Sequence, residues 1–362
     1  MYCNRNKIGY LLLAVLFMLG LLSCDPCNTG FEEVEDAVMY QAASLKAVHE
    51  KPDVLKIMTW NIKFGGGRID FFFDCYDDRV LMTEDEVITN MEGIVEKIKE
   101  YDPDILLLNE IDVLAKRSAY VDQLQYILDN TDLNYGAYGS QWKADYVPSS
   151  GIGRVDSGNA IASRWPLKNA TRYALPLIGE QDALTQYFYL KRSYLTCEIE
   201  EFGNEGSNLH LLVTHLSAYS NDGTKKRQLD IYKEKLDKLT SDNKLFVAGG
   251  DFNILPPGSN QVKNFEDSVC PKDGEFDGDD HTEEIDWLDA FYTDYTPAIS
   301  LAEFQSERQK DYYSFTADKN GFWARKLDYL FTNGGFVDGS GKVHQDERTG
   351  IATMPLSDHA PV

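Results

Sequence analysis

Short apolar runs that end in a polar residue recur along this chain and set the strongest limit on its fold. Ile57-Met58-Thr59-Trp60 ends in Asn61, Ile105-Leu106-Leu107-Leu108 in Asn109 and Glu110, and Leu211-Leu212-Val213-Thr214 in His215. Leu245-Phe246-Val247-Ala248-Gly249-Gly250 ends in Asp251, with Asn253 two residues on. Runs of this length read as strands, and further ones are expected over 160–163, 194–200 and 327–331. Helical periods lie between them. Val87, Met91, Ile94, Val95 and Ile98 recur at spacings of three and four within 84–101, and Tyr232, Leu236 and Leu239 do so within 225–239. A third helix is expected over 120–128. Strands flanked by helices, with no linker between them, predict one α/β domain rather than two. The connections 65–83 and 255–285 are long, and long loops in a compact domain often carry function.

The first 24 residues are a separate object. Arg5 and Lys7 precede an apolar run from Tyr10 to Leu22 that is short for a membrane span and is placed as a secretory signal. Leu21-Leu22-Ser23-Cys24 closes that run and resembles the lipobox of bacterial lipoproteins, in which Cys24 becomes the acylated N-terminus. Residues 25–53 are acidic and polar around a helix-like stretch at 32–48. They are expected to tether the lipid to a domain spanning 54–362. An exported, membrane-anchored lipoprotein facing the periplasm or the cell surface is therefore expected, acting as a monomer. Cys27, Cys75, Cys197 and Cys270 remain, with three pairings open. Their irregular spacing argues against a thiolate zinc site.

Charge narrows the chemistry. Lys and Arg total 35 against 59 Asp and Glu, a net −24, so the surface does not gather polyanions by bulk attraction. A site for a phosphate ester must supply its own positive charge, most simply as a metal ion. The polar strand-end residues fit that need. Asp328 starts the run 327–331, and Ser357-Asp358-His359 lies near the C-terminus. Taken singly, a Glu after a strand is often a cap, and Asp-x-Asn after Gly-Gly is often an Asx turn. Several such residues in one chain are costly to bury unless they bind a cation or share protons. Oxygen donors without thiolates suit Mg²⁺ or Mn²⁺. Glu110 can hold the metal, and Asp251 can accept a proton from water. Asn253 can donate to the phosphate, and Asp328 can fix the tautomer and charge of His359.

Seven segments in order then carry a resemblance: WNI with Asn61, LNEID with Glu110, GNAIASR at 158–164, THLS with His215, GGDFN at 249–253, KLDYLF with Asp328 and SDHAPV at 357–362. Together they resemble the endonuclease/exonuclease/phosphatase superfamily. The resemblance implies a four-layered α/β sandwich of two packed mixed β-sheets flanked by helices. It implies a metal-dependent phosphoric ester hydrolase acting by water attack. Glu110 resembles the principal metal ligand, with Asn61 and Asp358 helping to coordinate or organise the metal. Asp251 and Asn253 resemble the pair orienting water and phosphate, and Asp328–His359 the carboxylate–imidazole dyad. His215 resembles a phosphate-contacting or acid imidazole. Arg192 is a candidate phosphate clamp.

The departures from the family pattern also inform. Thr214-His215-Leu216 stands where abasic-site repair endonucleases carry Tyr-x-Pro-Asn, and Lys63 stands where they favour Asp. The chain is thereby nearer the secreted deoxyribonuclease, sphingomyelinase and inositol-phosphatase branches, and a second metal beside Lys63 is disfavoured. Nucleic acid enters only as a substrate, beside phospholipid and inositol phosphate. A catalytically inactive binding lipoprotein of the same fold is the alternative, and the intact set of site residues argues against it. Two segments stay open. Gly65-Gly66-Gly67-Arg68 and the aromatic stretch after it read as a substrate lip, a lipid-touching wedge, or a loop packing its rings on the domain. The acidic stretch 273–284 reads as a solvated turn rather than a Ca²⁺ loop.

Overall fold

Twelve strands among the described residues build two sheets: β1 Val34–Asp36, β2 Val38–Gln41, β3 Ile57–Asn61, β4 Ile105–Asp112, β5 Tyr135–Val147, β6 Gly153–Ser163, β7 Lys168–Ala174, β8 Ser193–Ile199, β9 Leu209–His215, β10 Phe246–Asp251, β11 Thr296–Pro297 and β12 Asp328–Thr332. The helices are α1 Glu84–Tyr101, α2 Gln123–Asn130, α3 Ala183–Phe188, α4 Thr224–Ser241, α5 Asp289–Asp294 and α6 Leu301–Phe304. This computed structural model describes residues 25–47, 50–74, 78–203, 206–218, 220–267, 280–319, 321–345 and 352–362. One sheet runs β1-β7-β8-β9-β10-β12-β11 and the other β2-β5-β6-β4-β3.

The side-chain alternation of β4 explains the layering. Ile105 and Leu107 point into the space between the sheets, where they meet Ala137, Ile161, Leu195, Leu211, Val213 and Leu330. Leu106 and Leu108 point outward with Met58 and Trp60, beneath Met91, Ile94 and Ile98 of α1 and Leu124 and Ile127 of α2. On the far side Leu212, Phe246, Ala248 and Phe331 are covered by Leu229, Tyr232 and Leu236 of α4. Burial on both faces is why these strands read as continuous apolar runs. The expected four-layered sandwich of two mixed sheets is the observed one.

Helix α1 keeps its expected bounds because Thr83 and Glu86 form a reciprocal capping box at its start. Helix α2 begins three residues later than expected. Ala119 and Tyr120 take positive φ, 53° and 61°, so the helix can start only after Asp122, which caps it. The long strand β5 and the strand β7 were not expected; glycines and polar residues interrupt β5, and β7 is mostly polar, which masks a strand pattern.

The segment 25–53 corrects its expectation. The helix-like stretch 32–48 contains two strands. β1 joins the edge of one sheet against β7, and β2 joins the edge of the other against β5. Its apolar residues therefore pack as sheet edges, and at least 34–41 belongs to the domain rather than to a tether. The aromatic stretch after Gly67 packs on the domain: Phe71 is fully buried and stacks with Phe73, and both rings meet Phe64. Arg68 pins this loop by donating to the carbonyls of Thr316 and Ala317 at 3.0 Å. Among the described residues Cys27 and Cys197 form no disulfide. Cys24, Cys75, Cys270 and most of the acidic stretch 273–284 lie outside the described residues. Among the described residues no helix is long and apolar enough to cross a membrane.

Candidate active site

Register alone assembles half of the site. β9 and β10 run parallel with His215 opposite Asp251, and β12 runs antiparallel to β10 with Asp328 opposite the same Asp251. The two strand ends and one strand start thus place three titratable groups side by side. Gly250 makes this packing feasible. It has φ 125°, and a Cβ there would lie 1.9 Å from the Thr214 carbonyl oxygen. In the other sheet β3 and β4 run parallel with Asn61 opposite Asn109.

A bulge then turns Glu110 out of its strand. The pairing of β4 with β6 passes from Leu108↔Ala160 to Ile111↔Gly158, one residue extra on β4, and Glu110 sits there at φ 55°. Such a φ in a non-glycine residue costs about 1–3 kcal/mol and persists only where its surroundings enforce it. The carboxylate emerges partly exposed at the rim. Asn109, beside it, is the strut between the sheets. Its amide donates to Asn159 Oδ1 at 2.8 Å and to the Thr214 carbonyl at 3.0 Å, and accepts from the Asp251 amide at 2.9 Å. Asn159 in turn donates to the Ser193 carbonyl at 3.2 Å.

The C-terminal segment closes the rim. Trp60 Nε1 donates to the His359 carbonyl at 2.8 Å, Ser357 Oγ to the Asn61 carbonyl at 2.8 Å, and Val362 exchanges both backbone bonds with Thr59. His359 is thereby carried to β12, where its Nδ1 lies 2.7 Å from Asp328 Oδ2. Ser314 Oγ donates to that same Asp328 oxygen at 2.7 Å. Asp328 thus anchors an imidazole whose Nε2 faces Asp251 Oδ2 at 3.5 Å.

Asp251 is the hub. Its Oδ1 accepts from the Asn253 amide at 3.0 Å, which is the Asx turn its sequence suggests. Its Oδ2 faces Asn61 Nδ2 at 3.1 Å, His215 Nε2 at 3.3 Å and His359 Nε2. Burial pushes the Asp251 carboxyl up to about 7, against the pull of His359. Burial opposes charge on His359 as well, but Asp328 and Asp251 outweigh it and raise the imidazole to about 10. His215 goes the other way. Burial, then Arg192 and His359, hold it well below its ordinary value, so it stays neutral. Two imidazoles on one carboxylate are thus set in opposite protonation states.

The second half of the rim holds Glu110, Asp358 and Lys63. Burial, then the Asp358 charge, raises the Glu110 carboxyl above its usual range; the hydrogen bond from Asn61 Nδ2 at 3.1 Å works the other way. Burial would raise Asp358 too, yet Lys63 holds it low. The Lys63 ammonium lies 3.7 Å from Asp358 and 3.1 Å from Asp74. It fills the corner where a second cation was disfavoured on sequence grounds. Glu110 and Asp358 repel each other across an oxygen-lined rim, a donor set that suits one hard cation. Asp251, Asp328 and His359 also present atoms within 4.8 Å of one another, but the Asp328–His359 hydrogen bond already occupies their facing atoms.

The structure brings together every expected site residue that it describes: Asn61, Glu110, Arg192, His215, Asp251, Asn253, Asp328, Asp358 and His359. Three of them differ in detail from the sequence expectation. Asn61 keeps its oxygen on the Lys63 amide at 3.0 Å and turns its NH₂ to the two carboxylates, so it organises them rather than ligating. Asn253 spends one N–H on the Leu216 carbonyl at 3.1 Å. Arg192 is half-buried, donates weakly to Gln141 Oε1 at 3.4 Å, and feels the charges of Glu110 and Asp251. Asn109, Asn159, Ser314, Asp74 and Trp60 went unassigned in the sequence. Asn109 and Asn159 each stand within a resembling segment, which was the available signal.

One pH prediction arises here. As general base Asp251 must be ionised, so kcat/KM should rise with pH through about 7, not through about 4 as for an ordinary carboxylate. Asn61→Ala removes an N–H that favours the charged form and should move this acidic limb to higher pH. A limb that stays put in the variant's pH–rate profile overturns the assignment.

No curated protein matches the chain in sequence. The fold resembles that of a solved endonuclease/exonuclease/phosphatase from Beutenbergia cavernae, with TM-score 0.53 and 19% identity over 85% of this chain and 69% of that one. The human Nocturnin catalytic domain aligns with TM-score 0.47 and 16% identity over 90% of this chain and 95% of that one. A Bacteroides thetaiotaomicron mannosyl-6-phosphatase aligns with TM-score 0.47 and 14% identity over 85% and 97%. The sequence profile of the Endonuclease/Exonuclease/phosphatase family matches residues 58–359, from the strand before Asn61 to His359 itself, and the chain belongs to that family.

Proposed function

We propose that the chain is an exported, lipid-anchored phosphoesterase that uses one divalent cation, Mg²⁺ or Mn²⁺, to hydrolyse phosphate esters. The observation that carries this reading is the convergence on Asp251 of a neutral His215, a protonated His359 and the Asn61 amide, beside the Glu110–Asp358 pair. Such a set can both take a proton and bind an anion.

Glu110 would hold the cation, with Asp358 beside it and Asn61 orienting the Glu110 and Asp251 carboxylates. A cation there neutralises the non-bridging oxygens of the ester and favours a nucleophilic water. The remaining work falls to the chain's own groups. Asp251 accepts the proton of the attacking water. His359, kept protonated by Asp328, and the His215 Nε2–H donate to phosphate oxygens as negative charge grows. Arg192 and the second N–H of Asn253 add donors on the same side. Lys63, held between Asp74 and Asp358, supplies fixed positive charge at the far corner and limits the centre to one cation.

The first test is hydrolysis of bis-p-nitrophenyl phosphate by the purified protein with Mg²⁺, with Mn²⁺ and with EDTA. Turnover abolished by the chelator and restored by the metal is expected; turnover indifferent to both overturns the metal reading. Anchoring has its own test. Cys24→Ala should move the protein from the membrane to the soluble fraction, since acyl chains and not acidic residues give the affinity. Continued fractionation with membranes would point instead to an uncleaved apolar anchor.

A further inference from the structure

The chain is fastened to the domain immediately after Cys24. Asp25 Oδ1 accepts from the Cys27 amide at 3.2 Å and its Oδ2 from the Gly30 amide at 2.6 Å, and the Tyr187 hydroxyl of α3 also bonds Asp25. The Cys27 carbonyl accepts from the Asp145 amide of β5 at 2.7 Å. The Phe31 ring lies 4.1 Å from the Arg172 guanidinium. Within seven residues the segment is tied to β5, α3 and β7, and it then enters β1.

Exposed apolar side chains gather at this point. Helix α3 buries none of its residues, and Leu184, which shares a face with Tyr187 at i,i+3, is 69% exposed. Tyr146 follows Asp145 and is 60% exposed. Leu177, beside the Ile178 carbonyl that Gln186 of α3 holds at 2.7 Å, is 40% exposed. A single exposed Leu means little, but several around one attachment point mark a contact surface. The apolar run 10–22 and the Leu-Leu-Ser-Cys24 sequence end one residue before Asp25. One residue reaches about 3.6 Å. An acyl chain on Cys24 would therefore bring a bilayer against this patch.

The patch borders the site. Tyr189 follows α3 and lies beside Arg192, which feels the charges of Glu110 and Asp251. Gln141 ties the two regions together: its carbonyl accepts from the Lys191 amide at 2.6 Å, and its side chain reaches Arg192 and the His215 carbonyl. Arg192 lies four positions after Phe188, at most about 14 Å away.

We propose that α3, Tyr146 and the Asp25 turn form a bilayer-contact face that seats the domain directly on the membrane holding Cys24, with the Arg192 side of the cleft toward the lipid headgroups, so that the substrate is a headgroup phosphate ester. The proposal rests on the lipoprotein and phosphoesterase readings above. Water adds across one P–O ester bond, and the products are an alcohol and a phosphate monoester.

The test uses the full acylated protein in phosphatidylcholine vesicles, whose zwitterionic surface does not oppose the chain's net −24. Hydrogen exchange of 144–148 and 183–190 should slow on reconstitution, with no change at 235–241 in α4. Leu184→Glu should cut hydrolysis of vesicle phosphatidylcholine about tenfold, the worth of burying one such side chain, and leave bis-p-nitrophenyl phosphate hydrolysis unchanged. Unprotected 183–190 in a protein that still fractionates with membranes overturns the contact face. Protection without phosphatidylcholine hydrolysis overturns the substrate class. Wild-type protein inert toward the soluble ester overturns the enzymatic reading instead, and the exchange result stands apart from it.

Discussion

Glu110→Gln is expected to leave the fold intact, to remove divalent-cation binding, and to lower kcat/KM at least 10²-fold, on the order of what losing a charge-stabilising group in a catalytic site costs. The change is nearly isosteric. Asn61 Nδ2, which now donates to Glu110 Oε1, can still donate to the amide oxygen. What is lost is the negative charge that, with Asp358, makes the rim attractive to a hard cation. It also removes the repulsion that burial and Asp358 impose on Glu110, so thermal stability should not fall. Mn²⁺ binding followed by electron paramagnetic resonance reads the first effect independently of turnover, and a circular-dichroism melt reads the last. Wild-type Mn²⁺ affinity in the variant would place the metal elsewhere.

The second large effect is expected at Asp328. Asp328→Asn keeps the side-chain shape and can keep a contact to His359, but it removes the charge that holds the imidazole protonated. The raised His359 value, about 10, depends on Asp328 and Asp251 overcoming burial. With Asp328 neutral the imidazole loses its proton at lower pH, so the alkaline limb of the pH–rate profile should move down. Near neutrality turnover should fall about 10²–10⁴-fold, the range of a lost acid–base partner. The alkaline limb is the diagnostic one, because the acidic limb set by Asp251 feels two opposing changes, the lost Asp328 charge and the weakened pull of His359. An unchanged alkaline limb would reduce Asp328 to a packing residue.

Much of this molecule is legible without coordinates, and the reason differs from element to element. Helix α1 is readable because its core stripe and its Thr83–Glu86 box are both local. The strands β3, β4, β9, β10 and β12 are readable because two-sided burial leaves each a mostly apolar run with its polar site residue at or near one end. β5 is not readable in this way, since its residues alternate between the core and a partly exposed face and include Gln141 and Lys143. The strands β1 and β2 are short sheet edges whose pairing comes from residues more than 90 positions away, so nothing local in the acidic and polar segment around them marks it as part of the domain.

The site divides along the same line. Residue type and spacing alone picked out the groups that converge at this rim, because a carboxylate or imidazole at the end of an apolar strand is expensive to bury unless it is paired. How those groups are tuned comes from the packed chain. The opposite protonation of His215 and His359 follows from which charges lie within a few ångströms of each ring, and those neighbours come from strands scattered along the whole chain. The bulge that turns Glu110 outward, the Asn109 strut between the sheets and the Lys63 ammonium in the second corner are likewise products of packing. Residue type fixes what a group can do in water; distance and burial, which only the folded chain supplies, fix what it does here.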